Sequence, residues 1–344
     1  MKNFIKSIRI KRLFDEKEVN WELKKINVLV GKNGLGKSTI LRLINSAIAR
    51  EDHDVLDLCE EISIDMQDGR QYTSRNRNKI NFEVFNDIFK EIMESHKITR
   101  GNKSLVKGRI ANNKSEEEYV TRFTLDLFNK INAGAINSEE NSSNEFFVNK
   151  NVSEKNNKNK RVEARSEEKM KVEFISTINM SANSVNDITT SSGSKTTFLD
   201  LEIDNEIKRL NKNEKNKEEL QNRLTNALNN LFEETKKIAV FNEDEIEIRL
   251  SNGKAISYRS LSSGERQVVF IFLKIINGSV DNSLILMDEP EISLHLSWQE
   301  KLLTEITKVN DSSQIVIVTH SPAMVMNGWL DSFVDIKNIT TEVY

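Results

Sequence analysis

The sequence has little of what disulfide-stabilised and membrane-spanning proteins need. It holds one cysteine, Cys59, among 344 residues, so no internal disulfide can form. This fits a reducing compartment or indifference to redox state, and Cys59 is expected to fill core space. No apolar run approaches the roughly 18 residues that span a bilayer, and the first residues lack an apolar stretch of signal-peptide length. We therefore expect a cytoplasmic protein with no membrane partner.

An excess of charge of one sign is also missing. The chain has 50 basic and 53 acidic residues, which give a formal net charge of −3. This balance excludes a global basic field, so any contact with nucleic acid would need a local patch. One candidate is the basic stretch formed by Arg70, Arg75, Arg77 and Lys79, although such stretches are usually just solvated. A hydrophobic content of 37% is sufficient for a large core.

The N-terminal part is typical of a strand, phosphate loop and helix unit. Two extended segments, residues 5–14 and 18–23, precede an apolar strand at 26–30 and a glycine-rich turn. A helix is predicted over 37–49, because Ile40, Leu41, Ile44 and Ile48 recur at helical spacing. Residues 1–60 are therefore assigned to the first part of an α/β head domain.

The C-terminal part, residues 241–344, alternates helices with continuous apolar strands. Helices are predicted at 265–276 and 297–308, and strands at 284–287 and 315–318. Such alternation favours a buried parallel sheet. At the start of this part, before the helix at 265–276, strands at 246–250 and 255–258 flank Asn252-Gly253, which predicts a β-hairpin.

The middle, residues 61–240, is interpreted as an insertion. It begins with an alternating segment at 62–66, followed by a mixed segment at 82–93 and a helix at 119–131. Residues 137–169 are rich in Asn, Ser, Glu and Lys, which indicates a loop. A long amphipathic helix is predicted over 199–237, with a polar gap at 211–219. The gap fits a projecting helix, a helical hairpin, or a surface helix with a solvated middle.

The glycine-rich turn GKNGLGKST, residues 31–39, satisfies the phosphate-loop pattern. Its glycines allow backbone N–H groups to wrap phosphate oxygens, and the helix that follows adds the positive end of its dipole. Lys37 would neutralise the β- and γ-phosphates, and Ser38 would bind Mg²⁺. The candidate ATP-binding residues of this loop are Gly31, Lys32, Asn33, Gly34, Gly36, Lys37, Ser38 and Thr39.

A carboxylate pair follows an apolar strand in the sequence SLILMDEP, residues 283–290. Asp288 would hold Mg²⁺, and Glu289 would orient or activate the water that attacks the γ-phosphate. Taken alone, such a pair is more often a strand-end turn or a helix cap than a catalytic site.

Two further motifs accompany the carboxylates. In LSSGE, residues 261–265, Ser262 and the amides of Ser263 and Gly264 could hold a γ-phosphate at a helix N-terminus, with Glu265 in the first turn. The plain alternative is an ordinary serine cap. His320 follows the last apolar strand and could donate to the γ-phosphate as a third catalytic group beside Lys37 and Glu289.

Together, GKNGLGKST, LSSGE, LILMDEP and VTHSP resemble the ATP-binding-cassette (ABC) ATPases, in the order that those ATPases use. Ser263 replaces the more usual second glycine of the signature. The resemblance implies an α/β P-loop NTPase fold of ABC type: a mixed central sheet flanked by helices, with a largely helical central insertion. It also implies Mg²⁺-dependent ATP hydrolysis in a homodimer or higher oligomer, where each phosphate loop faces the signature motif of the other head.

The stretch DEPEISLH with Trp298-Gln299 more narrowly resembles the ATPase half of the overcoming-lysogenization-defect family and stand-alone defence ATPases. It is also similar to recombination and chromosome-maintenance ATPases. The chain stops 24 residues after His320, so no nuclease of its own is expected. This predicts an ATPase that regulates a separate effector, a nuclease or toxin, in an anti-phage system. A DNA-repair or DNA-clamping ATPase is the alternative, and a transporter subunit is disfavoured by the insertion and the DEPEISLH continuation.

The resemblance leaves three positions open. The glutamine that contacts Mg²⁺ could be Gln67 or Gln71, or its place could fall within 174–183. The adenine-stacking residue could be Phe14 or Trp21. His295 could lie at the seam between two heads and sense the opposing nucleotide, or it could be a buried imidazole in a turn.

Overall fold

The computed structural model describes residues 4–50, 54–76, 144–150, 170–176, 188–189, 195–213, 216–279 and 283–343. The segments predicted at 82–93 and 119–131 lie outside these ranges, as do Arg77 and Lys79.

The strands are β1 (Ile5–Leu13), β2 (Lys17–Glu22), β3 (Ile26–Val30), β4 (Glu61–Met66), β5 (Arg70–Asn76), β6 (Asn144–Lys150), β7 (Val172–Ser176), β8 (Ile188–Thr189), β9 (Lys195–Thr196), β10 (Ile238–Asn242), β11 (Glu245–Arg249), β12 (Ala255–Ser257), β13 (Leu284–Asp288), β14 (Gln314–Thr319), β15 (Phe333–Asp335) and β16 (Thr340–Glu342). The helices are α1 (Lys37–Ala49), α2 (Phe198–Asn211), α3 (Lys217–Phe232), α4 (Ser263–Asn277), α5 (Leu296–Val309), α6 (Ala323–Met326) and α7 (Ile336–Ile339). Short 3₁₀ turns occupy Asp54–Leu58, Glu233–Thr235, Tyr258–Ser260 and Leu330–Ser332.

A five-stranded sheet of order β15-β3-β14-β13-β7 forms the centre, and every neighbouring pair in it is parallel. Its three inner strands, β3, β14 and β13, are mainly apolar and buried, because other layers cover both of their faces. The parallel sheet expected from the alternation of strands and helices is therefore confirmed. The carboxyl ends of β3, β13 and β14 meet at one edge, which is where loops in such sheets bind ligands.

The two faces of this sheet belong to different parts of the core. Leu284 and Leu286 of β13 pack in the cluster that contains α1. Ile285 and Met287 pack in the cluster formed with α2, α3, α4 and α5. Because side chains alternate along a strand, Asp288 falls on the same face as Leu284 and Leu286, towards α1.

A second sheet of order β16-β2-β1-β4-β5-β6 is antiparallel throughout and covers the other side of α1. The head is thus a layered α/β structure with parallel and antiparallel sheets flanked by helices, as the fold prediction stated. Cys59 is buried in the layer around α1, in agreement with its expected role as core filler.

The region 61–240 differs from a largely helical insertion in its described residues. Strands β4, β5 and β6 extend the antiparallel sheet, and β7 forms the edge of the parallel sheet. Strand β6 lies where the polar composition of 137–169 indicated a loop. It forms because all seven of its residues pair with residues of β5. Pairing with a distant strand thus outweighs the local polar composition.

The single long helix predicted over 199–237 is wrong, and the helical hairpin is the alternative that the structure adopts. Helix α2 ends at Asn211 and α3 begins at Lys217, so the chain breaks inside the polar gap. Asn211 accepts a hydrogen bond from Gln221 of α3 at 3.1 Å. Both helices bury their apolar faces in the core beside α4 and α5, so the pair packs on the head rather than projecting from it.

A small sheet of order β10-β11-β12 precedes α4. Its second and third strands are the predicted hairpin, joined through Gly253 with φ +81°. Strand β10 was not predicted. None of the helices in the described ranges is long and apolar enough to cross a membrane.

Candidate active site

The phosphate loop leaves the carboxyl end of β3 and runs into α1. Gly34 and Gly36 have φ values of +80° and +93°, a region that only glycine adopts without strain. A Cβ on Gly36 would also lie 2.8 Å from the ring of Phe14. The loop therefore needs glycine at position 36 for two independent reasons, the backbone turn and the close approach of Phe14.

Lys37 is the charged group of this loop and is almost fully buried. Its Nζ donates to the carbonyl oxygens of Gly31 at 2.9 Å and Lys32 at 3.1 Å, and lies 3.0 Å from His320 Nε2. Burial lowers the pKa of Lys37, while the neighbouring carboxylates, Glu289 first, oppose that shift. The Lys37 ammonium is therefore held inside the phosphate loop by hydrogen bonds to carbonyl groups of the loop itself.

Ser38 and Asp288 meet across α1 and β13. The Ser38 hydroxyl donates to Asp288 Oδ1 at 2.8 Å. Asp288 is fully buried, and burial raises its pKa although the Ser38 hydrogen bond opposes the rise. Hydroxyl and carboxylate oxygens are the ligands that Mg²⁺ prefers. The described ranges contain no group of three or more His, Cys, Asp or Glu suited to a metal, so a cation here would draw on water and phosphate as well.

Glu289 and His320 form the other half of this cluster. Glu289 Oε1 lies 2.6 Å from His320 Nε2, the same nitrogen that faces Lys37. Glu289 has φ 49°, which is uncommon for a residue with a side chain, and its N–H donates to the carbonyl of Val318 at 2.8 Å. Such backbone outliers cluster at functional sites, where neighbours hold them in place. The structure thus brings together Lys37, Ser38, Asp288, Glu289 and His320.

The signature motif forms the start of α4. Ser262 caps the helix, and its N–H and hydroxyl both donate to Glu265 Oε2 at 2.9 Å. Lys237 Nζ lies 2.6 Å from the other oxygen of Glu265. Burial would raise the pKa of Glu265, but the bonds from Lys237 and Ser262 hold it below its ordinary value. The serine cap considered as the plain alternative is therefore present, and it leaves first-turn N–H groups at a helix N-terminus.

Gly264 is required by packing. A Cβ at this position would lie 2.6 Å from the carbonyl oxygen of Ser293. Ser293 is exposed and has φ 68°, in the turn between β13 and α5. The signature helix and the DEPEISLH segment therefore touch backbone to backbone.

The structure reduces the number of candidates for the adenine-stacking residue and for the additional Mg²⁺ contact. Trp21 is buried in the core, so it cannot stack on a nucleotide base, whereas Phe14 lies against the phosphate loop. Gln71 bonds Asp65 on the antiparallel sheet at 2.7 Å. Ser176 pairs in register with Asp288, so of the three places considered for the Mg²⁺ contact, 174–183 begins beside the carboxylates. Residues 177–183 lie outside the described ranges.

Two other expectations concern the surface. His295 is exposed and caps α5, where its Nδ1 lies 2.9 Å from the Ser297 hydroxyl, so the buried-imidazole alternative is wrong. In the expected basic stretch, Arg70 pairs with Asp68 and Arg75 pairs with Glu61. These two arginines are therefore partly neutralised.

Three residues around the site did not stand out in the sequence. They are Ser176 at the end of β7, Lys237 beside the signature, and Glu291, which bonds the backbone of His320. Glu291 stood inside the DEPEISLH stretch, and this was the only signal. The other two come from parts of the chain whose pairing partners are distant in sequence.

The comparison with protein families agrees with this geometry. The model described as "AAA domain, putative AbiEii toxin, Type IV TA system" matches residues 26–326. The chain belongs to this family. The match includes the phosphate loop, the signature, the carboxylate pair and His320, and the interpretation as an ABC-type ATPase is confirmed. The narrower resemblance to the overcoming-lysogenization-defect family stays a prediction.

Two curated proteins match shorter stretches. The "Retron Vc95 probable ATPase" of Vibrio cholerae serotype O1 biovar El Tor is 30% identical over 87 residues, which is 22% of this chain and 17% of that protein. The "Septu protein PtuA" of Bacillus thuringiensis is 34% identical over 94 residues, which is 24% of each chain. The matched stretches thus span no more than a quarter of either relative.

Among solved structures, the SMC head domain from Thermotoga maritima overlaps with a TM-score of 0.46 at 11% identity, covering 100% of this chain and 98% of the other. An Smc head domain with an extended coiled coil bound to the C-terminal domain of ScpA, derived from Pyrococcus furiosus, gives 0.46 at 13% identity, covering 99% and 96%. Both overlaps are loose.

Proposed function

We propose that this protein binds and hydrolyses Mg²⁺-ATP at a site completed by a second copy of the chain, and that closure of the two heads regulates a separate effector. The observation that carries the proposal is the joining of the phosphate-loop lysine and serine to a buried aspartate, a glutamate and a histidine by direct contacts. These five side chains come from three different strand ends, and each has a role in phosphoryl transfer to water.

Each residue has a distinct task in this proposal. Lys37 turns from its own carbonyls to the β- and γ-phosphates. Ser38 and Asp288 would hold Mg²⁺, which when bound would supply positive charge next to the phosphates. Glu289 orients or activates the attacking water, and His320 donates to the γ-phosphate. Phe14 lies where it could stack on the adenine, next to Gly36.

The signature supports the need for a second copy. Ser262 donates hydrogen bonds to Glu265, and Glu265 forms an ion pair with Lys237. None of these contacts reaches the phosphate loop of the same chain. A helix N-terminus with glycine at position 264 is a ready anion site. A second head facing the first would present this anion site to the γ-phosphate, with the exposed Ser293 and His295 near the seam.

The proposal of a separate effector draws on the names of the family and of one relative. The family description links the AAA domain itself to a putative toxin and to a toxin-antitoxin system, which has more than one component, and one relative is the probable ATPase of a retron. We therefore propose that the partner is a nuclease or toxin in an anti-phage system. Its gene is expected beside this one. Co-purification of that neighbour's product, stronger with Glu289→Gln and Mg²⁺-ATP than without nucleotide, would support the pairing.

The basic test is phosphate release by the purified protein with Mg²⁺-ATP, together with the mass of the particle in solution. Glu289→Gln should abolish turnover while ATP stays bound, so a dimer should accumulate in light scattering and separate again in ADP. Absence of hydrolysis by the wild type, together with a Glu289→Gln variant that stays monomeric in ATP, would falsify the proposal.

A mixing experiment tests whether two copies share one site. Lys37→Ala removes the phosphate-loop charge, and Ser262→Asp places a negative charge at the signature while keeping a good helix cap. Each variant alone should be inactive. A mixture should recover about a quarter of wild-type turnover, because half of randomly formed dimers are mixed and each mixed dimer has one intact site. No recovery in a mixture that forms dimers would mean that each chain holds a complete site. Ser262→Asn, a neutral cap, is the matched control.

The DNA-clamping alternative has less support in the described residues, since Arg70 and Arg75 are each paired with an acid. Binding to duplex and single-stranded DNA over a range of salt concentrations tests it directly. Steep salt dependence would favour it, and absence of binding at low salt would remove it.

A further inference from the structure

Glu291 is a buried carboxylate with an uneven set of partners. It lies in the segment that connects β13 to α5 and is 6% exposed. Oε1 accepts from the Thr319 hydroxyl and from the N–H groups of His320 at 3.0 Å and Ser321 at 3.3 Å. Oε2 is buried and has no hydrogen-bond partner within the described part of the chain. The donors from other residues therefore converge on one oxygen, and they come from one turn.

That turn carries His320. It follows β14, and the His320 ring reaches Lys37 and Glu289 from it. The N–H of His320 itself is fixed by Glu291, and the residues on either side are fixed by the same oxygen. The direction in which the imidazole leaves the backbone thus depends on Glu291.

A second contact holds the same two segments together. Gln299 of α5 donates from Nε2 to the carbonyl of Leu294 at 2.9 Å and accepts at Oε1 from the Ser321 hydroxyl at 2.6 Å. The segment from Glu291 to Leu294 and the turn after β14 are therefore tied at both ends. Because Ser293 lies against Gly264, this segment also contacts the start of the signature helix.

Stability alone is a poor reason for this arrangement. Burial raises the pKa of Glu291 although the Thr319 hydroxyl and three backbone groups oppose the rise. A buried carboxylate with one oxygen unused costs free energy that an apolar side chain of similar volume would not. Its partners are all at the turn that aims a proposed catalytic side chain, so a role in aiming it accounts for the arrangement.

We infer that Glu291 is a positioning residue for ATP hydrolysis: its Oε1 fixes the turn at residues 319–321 so that the His320 ring stays between Lys37 and Glu289. The inference rests on the proposed function. It assigns to Glu291 an acceptor role, so an uncharged side chain with a carbonyl oxygen at the same place should replace it.

The test compares Glu291→Gln, which keeps the acceptor, with Glu291→Leu, which removes it at similar volume. Leucine should lower kcat by on the order of 10²-fold through misplacement of His320 while the KM for ATP changes little. Glutamine should keep kcat within about threefold of wild type. Glu305→Leu is the matched control, because Glu305 is a similarly buried carboxylate of α5 that bonds Asn230 and Lys308 instead. Thr319→Val, which removes one donor only, gives a milder variant if leucine prevents folding.

A double-mutant cycle separates positioning from general damage. In a His320→Ala background, Glu291→Leu should lower kcat by no more than about twofold further, since the ring that it positions is gone. Equal losses with leucine and glutamine, or losses that simply multiply in the cycle, would overturn the inference.

The position of the ring can also be followed without turnover. The chain has four histidines, so the His320 ring resonances in a nuclear magnetic resonance spectrum can be assigned by comparison with His320→Ala. Leucine at position 291 should shift them and glutamine should leave them near their wild-type values. Unshifted resonances with leucine would contradict the inference even if the wild type hydrolyses ATP. A wild type without hydrolysis would instead count against the proposed function.

Discussion

The phosphate loop and the signature turn are both helix N-termini suited to an anion, but their polar groups are satisfied in different ways. In the phosphate loop, Lys37 rests on two backbone carbonyls of its own loop. In the signature turn, the hydroxyl and N–H of Ser262 are both used by Glu265, which Lys237 holds in turn. The phosphate loop binds its own lysine through backbone carbonyls, whereas the signature turn is fixed by a capping box.

The difference suggests a division of labour. A phosphate is a stronger acceptor than a neutral carbonyl, so Lys37 can exchange partners at little cost when nucleotide arrives. The signature can offer backbone N–H groups and its helix dipole without disturbing the cap. We therefore expect changes in the phosphate loop to alter nucleotide affinity, and changes at the signature to alter closure and turnover.

Lys37→Ala should give the largest effect, a loss of ATP affinity on the order of 10²-fold, because charge-assisted bonds to phosphate are removed. Calorimetric titration with Mg²⁺-ATP measures it. Lys32→Ala is the matched control, since Lys32 is an exposed lysine of the same loop whose backbone N–H is kept. An unchanged affinity in Lys37→Ala would mean that the loop binds phosphate through its amides alone.

Gly264→Ala should damage the signature through packing. Alanine is favoured over glycine in a helix, but its Cβ would meet the Ser293 carbonyl at 2.6 Å. The backbone must shift, and we expect a loss of about 1–3 kcal/mol in the free energy of unfolding and a clear fall in kcat. Chemical denaturation and phosphate release measure the two effects. Ser263→Ala, one residue earlier in the same turn, should be tolerated, and equal behaviour of the two variants would contradict the packing argument.

The core strands, the first helix and the phosphate loop could be predicted from local sequence. Strand β3, helix α1 and the core strands β13 and β14 were expected almost to the residue, because continuous apolar strands and helical periodicity mark them directly. The phosphate loop follows from its glycines. The structure also places Asp288, Glu289 and His320 at the strand ends where the apolar runs predicted them.

The remainder depends on contacts between distant residues. The pairing of β6 with β5 joins residues about seventy positions apart, and a polar composition gives no sign of it. The break between α2 and α3 could not be predicted from the sequence, because a polar gap is compatible with several ways of packing the helix. The convergence of Thr319, His320 and Ser321 on Glu291 is a three-dimensional property of two turns, which no spacing in the sequence encodes.

Lys237→Met should weaken the fixed site in a pH-dependent way. Because the pKa of Glu265 is held below its ordinary value, this carboxylate stabilises the fold above the ordinary glutamate pKa and loses that effect as the pH falls through the lowered one. Without Lys237 we expect a loss of about 1–2 kcal/mol near neutral pH, reduced by the partial exposure of the lysine. The difference from wild type should shrink in acid. Urea denaturation at several pH values measures it, with the exposed Lys236→Met as control; a pH-independent difference would contradict the ion-pair explanation.

Asp288→Asn should have the smallest effect and the opposite sign. Burial raises the pKa of Asp288, so its ionised form opposes folding above that pKa, and the penalty vanishes below the ordinary aspartate pKa. Asparagine should therefore raise Tm by roughly 1–2 °C at pH 7.5, the equivalent of about 1 kcal/mol for a chain of 344 residues, with a gain that declines as the pH is lowered. Scanning calorimetry measures it, and Ser38→Ala, which removes a donor to the carboxylate, should lower Tm instead. A lower Tm for Asp288→Asn would make this carboxylate a net stabiliser of the fold. A higher Tm with loss of turnover would mean that the charge is held in the core for its chemistry, which is the trade-off expected where an active site is buried.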